Sequence, residues 1–94
     1  MTPRSARMRR ALAAYQRDDL AAAHRLCRAA LTADPDHFEA LHLLAVVMTR
    51  LGQFEDALAA YDRALALRPD DVQALSNRGA LLEDLRRYAE SLAS

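Results

Sequence analysis

The sequence is short of the residues that stop a helix, and of those that build anything else. Its 94 residues include two glycines, three prolines and no tryptophan. Few side chains are β-branched, so a sheet has little to be built from. The single cysteine, Cys27, excludes an intramolecular disulfide and argues for a reducing compartment. No apolar run approaches the ~20 residues that span a bilayer. The opening stretch MTPRSARMRRALAAY lacks the hydrophobic core and cleavage site of a secretory signal. Being arginine-rich and acid-poor it would suit an organelle transit peptide, but the same residues fit the periodicity described below. A cytoplasmic protein with no membrane partner is the expectation.

Alanine and leucine dominate what is present, with arginine and acidic residues between them. The apolar fraction of 52% is too high for a disordered chain, and 28% charged residues suit a wet surface. These side chains lose little rotamer freedom in a helix, so the expected fold class is all-α. Thirteen basic residues, all arginine, balance thirteen acidic ones. The balance is uneven: residues 1–17 hold Arg4, Arg7, Arg9, Arg10 and Arg17 and no acid. This cluster reads as a solvated helix face, or as a patch that steers an anionic partner. Without interleaved aromatics or a nucleic-acid motif, no nucleic-acid partner is expected.

The chain repeats itself. Pro35 and Pro69 lie 34 positions apart, and the same offset joins Ala23 to Ala57, Ala30 to Ala64, and Leu31 to Leu65. It also joins Asp36 to Asp70, Ala40 to Ala74 and Leu41 to Leu75. Three-way matches are Ala11, Ala45 and Gly79; Ala14, Met48 and Leu82; and Leu20, Phe54 and Tyr88. Small residues recur with small and large with large.

The stretch LHLLAVVMTRLGQFEDALAAYDRALALRPD resembles a nearly complete tetratricopeptide repeat. Leu41, Leu44, Ala45, Met48, Ala57, Tyr61 and Pro69 occupy its pattern positions. The third repeat keeps Leu75, Gly79 and Leu82, with Ser91 where alanine is usual. The first departs most, because Arg7 and Arg10 stand at apolar positions, yet Ala23, Cys27, Ala30 and Pro35 hold its second half. The resemblance implies an α-solenoid of antiparallel helix pairs, about two and a half repeats in one domain over residues 1–94. The repeats would span about 4–37, 38–71 and 72–94, the last incomplete, and the first helix would be a cap facing water.

The spacing predicts helices at 5–17, 20–33, 37–50, 54–67, 71–84 and from 88 onward. Phe38, Leu41, Leu44, Ala45 and Met48 share one helical face, and Phe54, Ala57, Leu58, Tyr61, Ala64 and Leu65 share another. Gly52 and Asp18 suit the left-handed conformation that ends a helix, whereas Arg86, at the same place in repeat three, does not. Asp36 and Asp70 are expected to N-cap the helices that follow the prolines. Ser94 falls inside the last helix, which leaves Leu82, Leu85 and Leu92 without full cover. The reading is therefore of a natural chain that starts at Met1 and continues past residue 94, or of an end that pairs with a second copy.

Nothing signals catalysis: there is no phosphate-cradling glycine loop, nucleophile motif or zinc spacing, and no cofactor or metal is expected. His24 and Cys27 lie one turn apart, but Cys27 stands where the repeat packs a buried residue. Asp34, Asp36 and His37 around Pro35 read as capping. Binding is better supported. In the family this chain resembles, the first helices of successive repeats line a concave groove. The resemblance assigns that groove to Met8, Arg9, Leu12 and Tyr15; to Glu39, His42, Leu43, Val46 and Thr49; and to Gln73, Asn77, Ala80 and Glu83. Met8, Leu12, Tyr15, Leu43 and Val46 are not needed for the inter-helix stripes, and an apolar patch outside a core marks an interaction surface or lies under another segment.

Chaperone-binding relatives clamp a peptide's terminal carboxylate from groove positions that here hold Met8, Leu12, Leu43, Gln73 and Asn77. Only Asn77 suits that role, so no clamp is expected. Asn77 also resembles the groove asparagines of repeat arms in protein O-glycosyltransferases, but Arg9 and Leu43 occupy the matching places, so no asparagine ladder runs through the chain. The expected function is non-catalytic binding of a protein, peptide or second copy, with the substrate-recognition arm of a larger enzyme as the alternative.

Overall fold

A computed structural model describes residues 3–93, with side chains from Ala6 onward; Met1, the side chain of Arg4, and Ser94 lie outside the described residues. It contains five helices: α1 (Pro3–Gln16), α2 (Leu20–Ala33), α3 (Phe38–Arg50), α4 (Phe54–Leu67) and α5 (Val72–Ala93). Helix α1 packs on α2, and α3 on α4, as two antiparallel hairpins. Helix α2 packs on α3 and α4 on α5, while α3 also touches α1 and α5. Helices α1, α3 and α5 therefore share one side of the stack.

Alanine makes this stacking possible. Ala11, Ala45, Ala57 and Ala64 are fully buried and let backbones approach. Large side chains fill what remains: Leu44, Met48, Tyr61 and Leu81 belong to one core cluster with Cys27, and Phe38 and Leu41 to a second. Every residue of the expected α3 stripe is buried. Ala40 and Val47, which lie off that stripe, are buried too, because α3 is covered on more than one side. Cys27 packs as a small apolar residue, and burial pushes its thiol up to about 12.

The first two turns follow the expected chemistry. Asp18 and Gly52 adopt φ of 64° and 80°. Behind each, the next amide reaches back to close the helix: Asp19 N–H to Ala14 C=O at 2.8 Å, and Gln53 N–H to Met48 C=O at 2.9 Å. The caps differ from expectation by one position. His37 and Asp71, not Asp36 and Asp70, face the first free amides of α3 and α5. Proline and the aspartate after it form the turn itself, and the Asp36 amide is held by Asp34 Oδ1 at 3.1 Å.

The third repeat departs from the expected hairpin. No turn separates 71–84 from 88 onward; α5 runs unbroken for 22 residues. Arg86 stands where Asp18 and Gly52 turn the chain, and arginine gains nothing from a left-handed backbone. Its guanidinium instead pairs with Glu83 at 2.6 Å and Glu90 at 3.3 Å, and Arg87 pairs with Glu83 at 3.3 Å. These one-turn pairs favour helix through the place of the missing turn.

Candidate functional site

The concave side is built by α1, α3 and one edge of α5. Side chains three and four apart on each helix point the same way, so Met8, Leu12 and Tyr15 form one wall. Phe38, Glu39, His42, Leu43 and Val46 form the floor. With Arg9 and Asn77 they enclose a cavity of about 410 Å³. A second cavity of about 360 Å³ continues along the groove, lined in part by Tyr15, Val46, Thr49, Gln73, Asn77 and Ala80. Tyr15, Val46 and Asn77 belong to both, so the two form one trough. Of the groove residues assigned from sequence, only Glu83 lies off it, engaged instead with Arg86 and Arg87.

The deeper end of the trough is apolar. Leu12 is 46% exposed and lines the cavity. Leu43 and Val46 are half-buried and rest on the core beneath. The polar groups stand on the α5 side in a short chain. Gln73 Nε2 donates to Asn77 Oδ1 at 3.3 Å. Asn77 Nδ2 lies 3.0 Å from His42 Nε2. An amide NH₂ can only donate, so His42 Nε2 accepts and the ring proton sits on Nδ1. The His42 ring lies between Phe38 and Tyr61, with centroids 5.7 and 6.0 Å away. Burial lowers the His42 pKa, opposed by Asp71. Burial also raises that of Tyr61. Each residue keeps its neutral form, which suits an apolar trough.

Charge sits at the rims. Arg50 pairs with Asp18 and stands 5.5 Å over the Tyr15 ring, tying α1 to the end of α3. At the other rim Arg68 pairs with Glu39 at 3.2 Å and lies 4.2 Å over Phe38. Partial burial raises the Glu39 pKa, but its own backbone amide, Arg68 and His37 outweigh this and hold it low. Phe38 is the lining residue that sequence reasoning assigned to the core alone. It does both: it is 6% exposed, and that edge faces the cavity. Its signal was its spacing of one turn from His42. Among the described residues no cluster of His, Cys, Asp and Glu could hold a metal, and no helix is long and apolar enough to cross a membrane.

Known proteins share this architecture. A solved structure titled as the first tetratricopeptide domain of Spaghetti (RPAP3), bound to the HSP90 peptide SRMEEVD, has a TM-score of 0.85 at 22% identity. That match covers 88% of this chain and 66% of the other. An O-GlcNAc transferase mutant from Thermobaculum terrenum matches with a TM-score of 0.78 at 31% identity, over 87% of this chain and 16% of that one. A curated Arabidopsis thaliana relative, described as an inactive repeat-containing thioredoxin, is 44% identical over 45 residues. Those residues are 48% of this chain and 6% of the relative's length. The tetratricopeptide-repeat family profile matches residues 14–81, and the chain belongs to that family.

Proposed function

We propose that the trough binds a linear peptide segment of another protein and does no chemistry on it. The observation that carries this reading is the apolar cavity formed by Met8, Leu12, Leu43 and Val46, left open by the chain's own packing. Seating one leucine- or phenylalanine-sized side chain there contributes about 1.5–3 kcal/mol. Gln73 and Asn77 keep hydrogen-bonding capacity to spare and stand where a peptide backbone would run. The relative bound to SRMEEVD takes an acidic peptide. Here the clamp positions hold Met8, Leu12, Leu43, Gln73 and Asn77, of which only Asn77 suits a carboxylate, so the ligand we propose is anchored by an apolar side chain and not by its terminal carboxylate.

A second reading has one observation in its favour, the 31% identity to the O-GlcNAc transferase. On that reading the same trough is the substrate-recognition arm of a larger enzyme. Both readings require peptide binding, so one experiment tests them together. A random linear-peptide library is selected on the immobilised protein and, in parallel, on Leu12→Glu. Leu12 is surface-accessible, so the variant keeps its stability within about 0.5 kcal/mol. Peptides with a large apolar residue should be enriched on the unmodified protein and absent from the variant. Equal enrichment on both would remove the trough as the binding site.

A further inference from the structure

The trough has an apolar floor, but Arg9, Glu39, Arg50 and Asp84 also line it. Two of these charges are already engaged. Glu39 pairs with Arg68, and Arg50 with Asp18. Arg9 and Asp84 have no hydrogen-bond or ion-pair partner among the described residues. Arg9 stands on α1, beside the apolar cavity. Asp84 stands on α5, in the part of the trough that this cavity does not reach. Helix α3 lies between them, since it packs on both α1 and α5 while those two do not meet. An open cation and an open anion therefore face each other across the trough.

The two helices are polarised in the same sense. Helix α1 contains arginine and no acid, and Arg7, Arg9 and Arg10 all lack partners among the described residues. On α5 every arginine is engaged. Arg78 pairs with Asp62, Arg86 with Glu83 and Glu90, and Arg87 with Glu83. Among the described residues this leaves Asp84 as the unpaired charge of α5. One wall of the trough attracts anions, and the other attracts a cation.

We infer that the trough selects a peptide of ordered charge. A large apolar residue fills the cavity, an acidic residue beside it lies over Arg9, and a lysine or arginine further along lies over Asp84. The inference rests on the reading that the trough binds a peptide, and it names which peptides. The repeat offset sets the spacing. Arg9 is level with Leu43, and Asp84 is level with Arg50, seven residues further along. Seven helical residues and two helix spacings put the charges about 20 Å apart, or about six residues of extended chain. The path crosses Val46, which borders both cavities. Each pair is exposed, so each changes affinity only about two- to five-fold.

The test is selection from a random linear-peptide library, at low salt, on the unmodified protein and on the double variant Arg9→Glu/Asp84→Arg. Both positions are exposed and unpaired, so the variant keeps its fold, which circular dichroism checks. Peptides from the unmodified protein should carry an acid next to the apolar anchor and a base about six residues from that acid. The variant should select the reverse order. Exchanging the acid and the base of one selected peptide should weaken its binding to the unmodified protein at least about four-fold and strengthen its binding to the variant. Apolar anchors without ordered charge, or the same order on both proteins, would overturn the inference and leave peptide binding in the trough standing. If no apolar anchor is enriched on either protein, the binding reading fails and the inference falls with it.

Discussion

Two histidines show what single side chains contribute. His42 donates nothing to Asn77; it accepts, and protonation would put two donors face to face. Its pKa is lowered by burial, so as pH falls the unfolded chain takes up the proton before the folded one. The stability that neutral His42 supports is complete above the ordinary imidazole value of about 6.5 and is lost as pH drops below it toward the folded value. Denaturant midpoints at about pH 7.5 and about pH 5 should therefore differ more for the unmodified protein than for His42→Gln, whose side-chain oxygen accepts from Asn77 at both. Equal differences would contradict this. His37 has a separate conflict. Its Nδ1 lies 3.4 Å from the Ala40 amide and 3.2 Å from Glu39 Oε2. It can accept from the first or donate to the second but not both, and buried Nε2 has no partner. Asparagine there supplies an acceptor and a donor together. His37→Asn should raise the unfolding free energy by about 1 kcal/mol, measured by denaturant titration. Sequence reasoning saw His37 only as part of a capping cluster, since the geometry of one ring against two neighbours has no periodic signature.

At the scale of elements, the turns decide what the helices become. Gly52 has φ of 80° and open space where a Cβ would stand, so Gly52→Ala carries a conformational cost alone. That cost is about 1 kcal/mol, read as a lower thermal midpoint with unchanged helix content. The boundaries of α2, α3 and α4 were legible because Pro35, Gly52 and Pro69 punctuate the pattern. So was the α3 face, because apolar spacing encodes it directly. The fate of repeat three was less so. The discomfort of Arg86 was readable, but the helix continues because Glu83, Arg86, Arg87 and Glu90 pair along it, and such pairs are geometry before they are sequence. The cap shift to His37 and Asp71 has the same origin: which of two adjacent residues faces the first amide depends on how the turn is wound.

At the scale of the molecule, the stack is elongated, 51 × 29 × 19 Å, because α5 extends beyond its neighbours. The trough between α1, α3 and α5 is formed by residues whose repeat positions already set them side by side, so its apolar floor was visible in sequence. Its polar edge was visible only in part. Asn77 stood out by type, but its link to His42, 35 residues away in sequence, required the fold. The account's central claim is that the trough, and no other face, receives a peptide. Its most direct test is an amide chemical-shift map of the protein titrated with one selected apolar-anchored peptide. The account predicts shifts concentrated at Met8, Leu12, Leu43, Val46 and Asn77. Shifts centred on the opposite face, at Arg28, Thr32, Asp56 and Arg63 between α2 and α4, would contradict it.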